Sequence, residues 1–202
     1  MRTDTDLATV DGAAQSLGAS ALRLAMPVSI RRGTGLAWWG EVSFEHVDMP
    51  KHHRRLDESV HVVRASGDGE VVVAYDGRHL RRLELGAGEA VHVSGGHLVA
   101  FTGADPTVAT LEGTAGLILG HYSFVGPATV VVASRGEPVE LHPEGRKLSV
   151  ATAGAMAWSA DLHVSVQSES TLKALLGRGS GELFQYVFEG DGFVLAEPIE
   201  HN

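Results

Sequence analysis

Two short patterns recur three times along the chain, in the same order each time. The first is a strand that ends in alanine followed by an aromatic residue, at 35–38, 97–101 and 155–158. The second opens on a glycine and runs into a valine-rich strand, and its glycines are Gly67, Gly126 and Gly190. Equivalent positions lie roughly 60 residues apart, a fixed period that is typical of repeat architectures. The sequence therefore predicts three copies of one structural unit.

The periodicity within each unit is that of β-strands. Short apolar runs are bounded by Gly, Pro, Asp or Ser, and residues 70–75 lead into Asp76-Gly77, a strong hairpin-turn pair. Gly accounts for 25 of the 202 residues, as a chain with many tight turns requires. One short helix is predicted near 169–176, with Leu172, Leu175 and Leu176 on one face and Gly177 at its end.

A β unit of about 60 residues has too few strands to cover its own apolar face. Three such units packed around a pseudo-threefold axis would cover one another. We therefore expect a single all-β domain, sandwich-like or barrel-like, built from three pseudo-repeated lobes at about 19–80, 81–141 and 142–202. The segment 1–18 shows no periodicity, and we expect it to be loosely ordered.

Composition and charge exclude several classes of partner and site. The formal net charge of -9 argues against nucleic acid as a partner. The absence of cysteine removes disulfides, thiolate metal sites and cysteine nucleophiles. The acidic N-terminus does not resemble a signal peptide, and no apolar run is long enough to span a membrane. These features predict a cytoplasmic protein, and the excess of arginine over lysine suggests a GC-rich bacterial source.

The C-terminal 50 residues carry a recognisable combination of motifs. Residues 172–184 read Leu-Lys-Ala-Leu-Leu-Gly-Arg-Gly-Ser-Gly-Glu-Leu-Phe, and residues 188–195 read Phe-Glu-Gly-Asp-Gly-Phe-Val-Leu. This stretch resembles the altered-inheritance-of-mitochondria family, long catalogued as a domain of unknown function. The resemblance implies an all-β fold similar to the tryptophan RNA-binding attenuator protein superfamily, with internal threefold repetition. Fungal members are associated with mitochondrial inner-membrane organisation, and the family supplies no catalytic motif.

A histidine-rich segment at 45–55 is the best candidate for metal chemistry. His46, His52 and His53 stand close to Glu45 and Asp48, and imidazole and carboxylate groups are ligands for divalent metals. However, the adjacent His52 and His53 would face opposite sides of a strand, and Lys51, Arg54 and Arg55 would repel a cation. We interpret the segment as a solvated, exposed loop, and we predict no metal and no cofactor.

The pair Trp38-Trp39 is the best candidate for an interaction site. Adjacent residues of a strand point to opposite faces, so only one of the two can enter the core. Trp38 aligns with Phe101 and Trp158, which places it in the core. Trp39 then lies on the other face, where an exposed tryptophan often marks an interface. The alternative is that the N-terminal segment or a loop covers Trp39.

No motif for catalysis was found. The chain lacks a Gly-x-Ser-x-Gly elbow and a zinc-protease His-Glu-x-x-His. The glycine-rich segment 177–182 lacks the ending of a phosphate-binding loop, and we interpret it as a helix stop. The preferred function is a non-enzymatic binding or scaffold domain that forms a homo-oligomer or binds another protein. The alternative is a metal-dependent small-molecule enzyme or metal-binding protein of cupin-like β architecture that uses the 45–55 loop.

Overall fold

The computed structural model describes residues 14–16, 19–50, 60–112, 118–168 and 184–198. The helix predicted near 169–176 and the glycine-rich segment 177–182 lie outside these residues. Residues 14–16, within the segment predicted to be loosely ordered, form a short strand.

Within the described residues the chain forms seventeen strands and one 3₁₀ turn at Gly95–His97. In chain order the strands are β1 (Ala14–Ser16), β2 (Ala19–Ala25), β3 (Val28–Arg31), β4 (Gly35–Val47), β5 (Val62–Ala74), β6 (His79–Leu85), β7 (Ala90–Val93), β8 (Leu98–Phe101), β9 (Thr107–Glu112), β10 (Ile118–Val125), β11 (Ala128–Ser134), β12 (Val139–Leu141), β13 (Leu148–Ala151), β14 (Ala155–Ser159), β15 (His163–Ser168), β16 (Phe184–Glu189) and β17 (Val194–Ala196).

The strands form three antiparallel sheets, so the prediction of an all-β domain is confirmed. The first sheet has the order β1-β2-β5-β3-β8-β11-β6, with β4 paired to β5 beside this path. The second has the order β12-β17-β14-β7-β10-β9, and the third has only β13-β16-β15. Within the first sheet β2 also lies close to β6, so this sheet is strongly curved.

The strand registers confirm the threefold repetition. Three strands carry the repeated alanines, and we call them the alanine strands. They are β8, β14 and the first half of β4, residues 35–39. The cross-strand partner of each alanine is the fifth residue after the repeated glycine of its own lobe: Ala37 pairs Val72, Ala100 pairs Val131, and Ala157 pairs Leu195. A register shift falls beside the alanine in all three lobes, so each alanine strand carries an irregularity at the same place. The lobe limits given above remain a prediction.

A second set of equivalent strands connects the lobes, and we call them the junction strands: β3, β7 and β13. Each junction strand pairs with the segment that precedes the repeated glycine of its own lobe. In each lobe this pairing includes the residue two positions before the glycine, which is Ala65 for β3, Phe124 for β7 and Phe188 for β13. The first two junction strands therefore occupy the centre of the six-stranded runs β4-β5-β3-β8-β11-β6 and β9-β10-β7-β14-β17-β12.

The long β4–β5 hairpin bends at its glycines. The rings of Trp38 and Phe44 lie 5.3 Å apart between centroids, although six residues of straight strand would separate them by about 20 Å. Gly40 has a φ of 89°, and a Cβ on Gly69 would overlap the carbonyl oxygen of Trp39. Glycine is therefore required where the two backbones approach this closely. On the edge away from β4, the two halves of β5 pair with different strands, β3 through residues 62–65 and β2 through residues 70–74.

Three apolar clusters form the core. One contains residues of the first and second sheets, including Phe101, Phe124 and Met156. Another joins the second and third sheets around Trp158 and Phe188. The remaining cluster lies within the curved first sheet. Each lobe thus contributes to the covering of its neighbours, as the small size of a single unit requires.

Candidate functional site

Two of the three possible junctions between lobes are formed by direct strand pairing. At the first junction β3 pairs with β8, and Ile30 stands opposite Ala100. At the second junction β7 pairs with β14, and Val93 stands opposite Ala157. The two junctions have the same register, because Ile30 and Val93 are equivalent positions of their junction strands and each stands opposite the repeated alanine. By repetition, the third junction would join β13 to the first half of β4.

The third junction is open in the described part of the chain. There, β13 pairs with β16 alone and β4 pairs with β5 alone. The strands equivalent to β13 are β3 and β7, and those equivalent to β4 are β8 and β14. All four of these strands have partners on both edges. The open edges of β4 and β13 are thus two halves of a pairing that the chain makes elsewhere twice.

The open junction leaves apolar side chains in water. At the aromatic position that follows the alanine, Phe101 and Trp158 are 1% and 0% exposed, whereas Trp38 is 54% exposed. The prediction that Trp38 lies in the core is therefore wrong. The physical reason is that the core positions of lobes two and three are covered by a neighbouring junction strand and its sheet, which lobe one lacks at this edge.

The residue before the alanine shows the same contrast. Val99 and Met156 are both fully buried, whereas Leu36 is 64% exposed. Leu36 and Trp38 thus both present an apolar side chain to solvent where the two equivalent lobes bury one. Two neighbouring positions with the same contrast indicate that a whole segment lacks cover, since isolated exposed apolar residues are normal on protein surfaces.

Trp39 lies on the opposite face of β4 from Trp38 and is 52% exposed. The guanidinium carbon of Arg23 lies 5.0 Å from its ring centroid, and Arg23 also forms an ion pair with Glu70. A cation over an indole face is attracted to it by about 0.5–1 kcal/mol at an exposed site, which favours this orientation of the ring. Next to this group Val72 is buried between Arg23 and Ala37, its partners on the two neighbouring strands. Trp39 therefore presents an exposed ring beside the ion pair of Arg23 and Glu70.

The structure places only part of the histidine-rich segment. Residues 45–47 belong to β4 and not to a loop, because the β4–β5 pairing continues to Val47 and Val62. His46 is exposed, and its Nε2 lies 3.5 Å from Oδ1 of Asp48. His52 and His53 lie outside the described residues. No group of three His, Asp or Glu side chains among the described residues is arranged to hold a metal ion. Metal binding by the segment stays untested.

A cluster of the half-buried His92 with the buried His121 and Trp158 was missed by sequence reasoning. The rings of His92 and His121 lie 4.7 Å apart, and that of His121 lies 5.0 Å from Trp158. Burial lowers the pKa of His92, because the charged imidazolium loses its hydration there. His92 is directly opposite Trp158 at the second junction. The neutral form of His92 is thus favoured, and the cluster packs against the aromatic core, so it fits a structural role.

A second polar pair fixes the last strand to the middle lobe. Nδ1–H of His97 donates to the carbonyl oxygen of Ala133 at 2.9 Å, and the same nitrogen lies 3.6 Å from Oε2 of Glu197. Oε2 of Glu197 in turn accepts a hydrogen bond of 3.0 Å from the backbone N–H of Arg135. Both side chains are about nine-tenths buried. This pair satisfies polar groups between two lobes, so it fits a structural role.

Among the described residues, no helix has the length and apolar character needed to cross a lipid bilayer. At the open third junction, Leu36 and Trp38 are exposed at positions that packing buries in the other two lobes.

Comparisons with known proteins agree with this architecture. The model of a family described as mitochondrial biogenesis AIM24 matches residues 9–135 and 106–199. A crystal structure of protein SPYM3_0169 from Streptococcus pyogenes, a structural-genomics target, superposes with a TM-score of 0.67 at 18% sequence identity. The alignment covers 93% of this chain and 92% of that one, and at this identity it shows a shared fold. No curated protein matches the sequence.

Proposed function

The chain belongs to the AIM24 mitochondrial biogenesis family, and because its third junction is open we propose that it is a non-enzymatic binding or scaffold domain that associates with a second copy of itself. The observation that carries this proposal is the contrast between lobes. The same strand positions are buried in two lobes and exposed in the third, so the fold provides a core-like surface with no occupant within the described chain.

Two physical arguments support an interaction role. An uncovered strand edge presents unpaired N–H and C=O groups that can pair with another chain, and proteins usually shorten or charge such edges. The first half of β4 instead carries Leu36, Trp38 and Trp39. Tryptophan is also enriched among residues that dominate binding energy at interfaces. The expected setting, the cytoplasm of a bacterium, stays a prediction from the sequence.

Light scattering coupled to size-exclusion chromatography tests the proposal. We expect the mass of the wild-type protein to rise with concentration, and we expect Trp39→Ser to reduce this rise. Serine is already present at the equivalent position of lobe three, Ser159, so the variant is compatible with the strand. Val125→Ser is the matched control, because Val125 is 57% exposed and belongs to β10, which is neither of the two strands with an open edge.

Two results would contradict the proposal. One is a wild-type protein that stays monomeric at every concentration. The other is a Trp39→Ser protein that associates as strongly as Val125→Ser while its far-UV circular dichroism remains native.

The metal-dependent alternative remains a prediction on residues that the structure does not describe. Metal analysis of protein purified without a histidine tag tests it directly. Stoichiometric bound metal that is lost in a His52→Ala, His53→Ala variant would favour the alternative over the scaffold role.

A further inference from the structure

The two formed junctions are a template for the occupant of the open edge of β4. In both, an alanine strand pairs on its outer edge with a junction strand, antiparallel and in one register. The strand of this type that remains without such a partner among the described strands is β13. The described chain therefore carries one unpaired alanine-strand edge and one unpaired junction-strand edge. The two edges are complementary, because the equivalent strands pair with each other at the other two junctions.

The template also fixes the register. Ile30 pairs Val63 within lobe one and Ala100 across the first junction. The equivalent residue of β13 is Val150, because it pairs Tyr186 at the same distance from the repeated glycine. Val150 is thus expected opposite Ala37.

The side chains of the two edges fit this register. It sets Ser149 opposite Trp38, as Ser29 stands opposite Phe101 at the first junction. It sets Leu148 opposite Trp39, an aromatic–aliphatic pair on one face of the sheet. Directly opposed apolar side chains of this kind stabilise antiparallel strand pairs. Neither edge carries a charged side chain at these positions.

We infer that β13 of one copy pairs antiparallel with the first half of β4 of a second copy, with Val150 opposite Ala37. The pairing extends the third sheet to β15-β16-β13-β4-β5-β2, the order of strands found in the other two runs. Each copy carries both halves, so two copies can exchange them reciprocally and close, while a one-way exchange would continue to further copies. This inference rests on the proposed self-association and specifies its contact.

Engineered disulfides test the register, because the chain has no cysteine of its own. Ala37→Cys protein carrying a mass tag is mixed with Val150→Cys protein under mild oxidation, and the products are separated without reductant. A second mixture, Trp38→Cys with Ser149→Cys, covers the neighbouring pair. Opposed pairs alternate between hydrogen-bonded and non-hydrogen-bonded sites, so one of the two mixtures has the closer geometry.

The matched control is Ala37→Cys mixed with Ser149→Cys. In the inferred register these side chains lie on opposite faces of the sheet, so they should not link. We expect a mixed disulfide of twice the chain mass from at least one test mixture, well above the yield of the control. We also expect Trp39→Ser in both partners to reduce that yield.

Three outcomes would overturn the inference. The control mixture could link as well as the test mixtures, or none could link while both proteins remain folded. A double variant, Ala37→Cys with Val150→Cys, could also form only an internal disulfide at the mass of one chain, which would show that the junction closes within one copy. If light scattering still shows association that Trp39→Ser abolishes, the proposed function stands and only the strand pairing fails.

Discussion

Trp38 and Trp158 occupy equivalent positions in lobes one and three, and their truncation separates the open junction from the closed ones. Trp158 is fully buried against His121, Tyr186 and Phe188. Replacement of a buried tryptophan by alanine removes its contacts and leaves a cavity, at a typical cost of about 3–5 kcal/mol. Trp38 is 54% exposed. Its truncation loses less than half as much buried area, and water fills the space, so we expect a cost of about 1–2 kcal/mol.

Equilibrium urea unfolding, followed by far-UV circular dichroism at low protein concentration, measures the two costs. We expect Trp158→Ala to lower the free energy of unfolding by about 1–4 kcal/mol more than Trp38→Ala. If Trp158→Ala does not fold, the pair Trp158→Phe and Trp38→Phe keeps the comparison, because lobe two has Phe101 at this position. Equal costs for the two positions in monomeric protein would refute the argument that the third junction is open.

Two further predictions concern the backbone and the half-buried His92. Gly69→Ala should destabilise the fold strongly, because its Cβ would overlap the carbonyl oxygen of Trp39, whereas Gly96→Ala, with open space at its Cβ, should change the free energy of unfolding by less than about 1 kcal/mol; equal effects in urea unfolding would contradict this account of the hairpin. Burial lowers the pKa of His92, so this histidine binds more protons in the unfolded state than in the folded state. The contribution of His92 to the free energy of unfolding should therefore be constant above the ordinary histidine pKa and fall as the pH drops below about 6.5. Compared with wild type, His92→Phe should lose less stability between pH 7 and pH 5, and parallel pH profiles would exclude this role of His92.

The repeated strands could be predicted from the sequence because they rest on local chemistry. Valine-rich runs, glycine turns and alternation of apolar residues specify strands wherever they occur. The alignment of Ala37, Ala100 and Ala157 was informative, because each pairs with the residue at the equivalent position of its own lobe, the fifth after the repeated glycine. Pairing between neighbours in the chain follows from such patterns.

The position of Trp38 could not be predicted in the same way. Its burial depends on whether a strand from another lobe covers β4, and that strand lies more than 100 residues away in the chain. The prediction that Trp38 is buried followed from its alignment with Phe101 and Trp158, and it holds only if all three junctions form within one chain. The two histidines beside Trp158 were missed for a related reason, since His92 meets Trp158 only through the pairing of β7 with β14. The single signal was an isolated histidine within each apolar strand, which is weak evidence on its own.

Hydrogen exchange at several protein concentrations tests most directly whether one of three equivalent junctions is left open by a single chain. Backbone amides without a partner exchange faster than those in a paired ladder. In dilute protein, residues 35–39 should exchange faster than residues 98–101 and 155–159, and should slow as the concentration rises. If residues 35–39 are as protected as the other two segments at the lowest concentration, the third junction is closed within one chain and the account is contradicted.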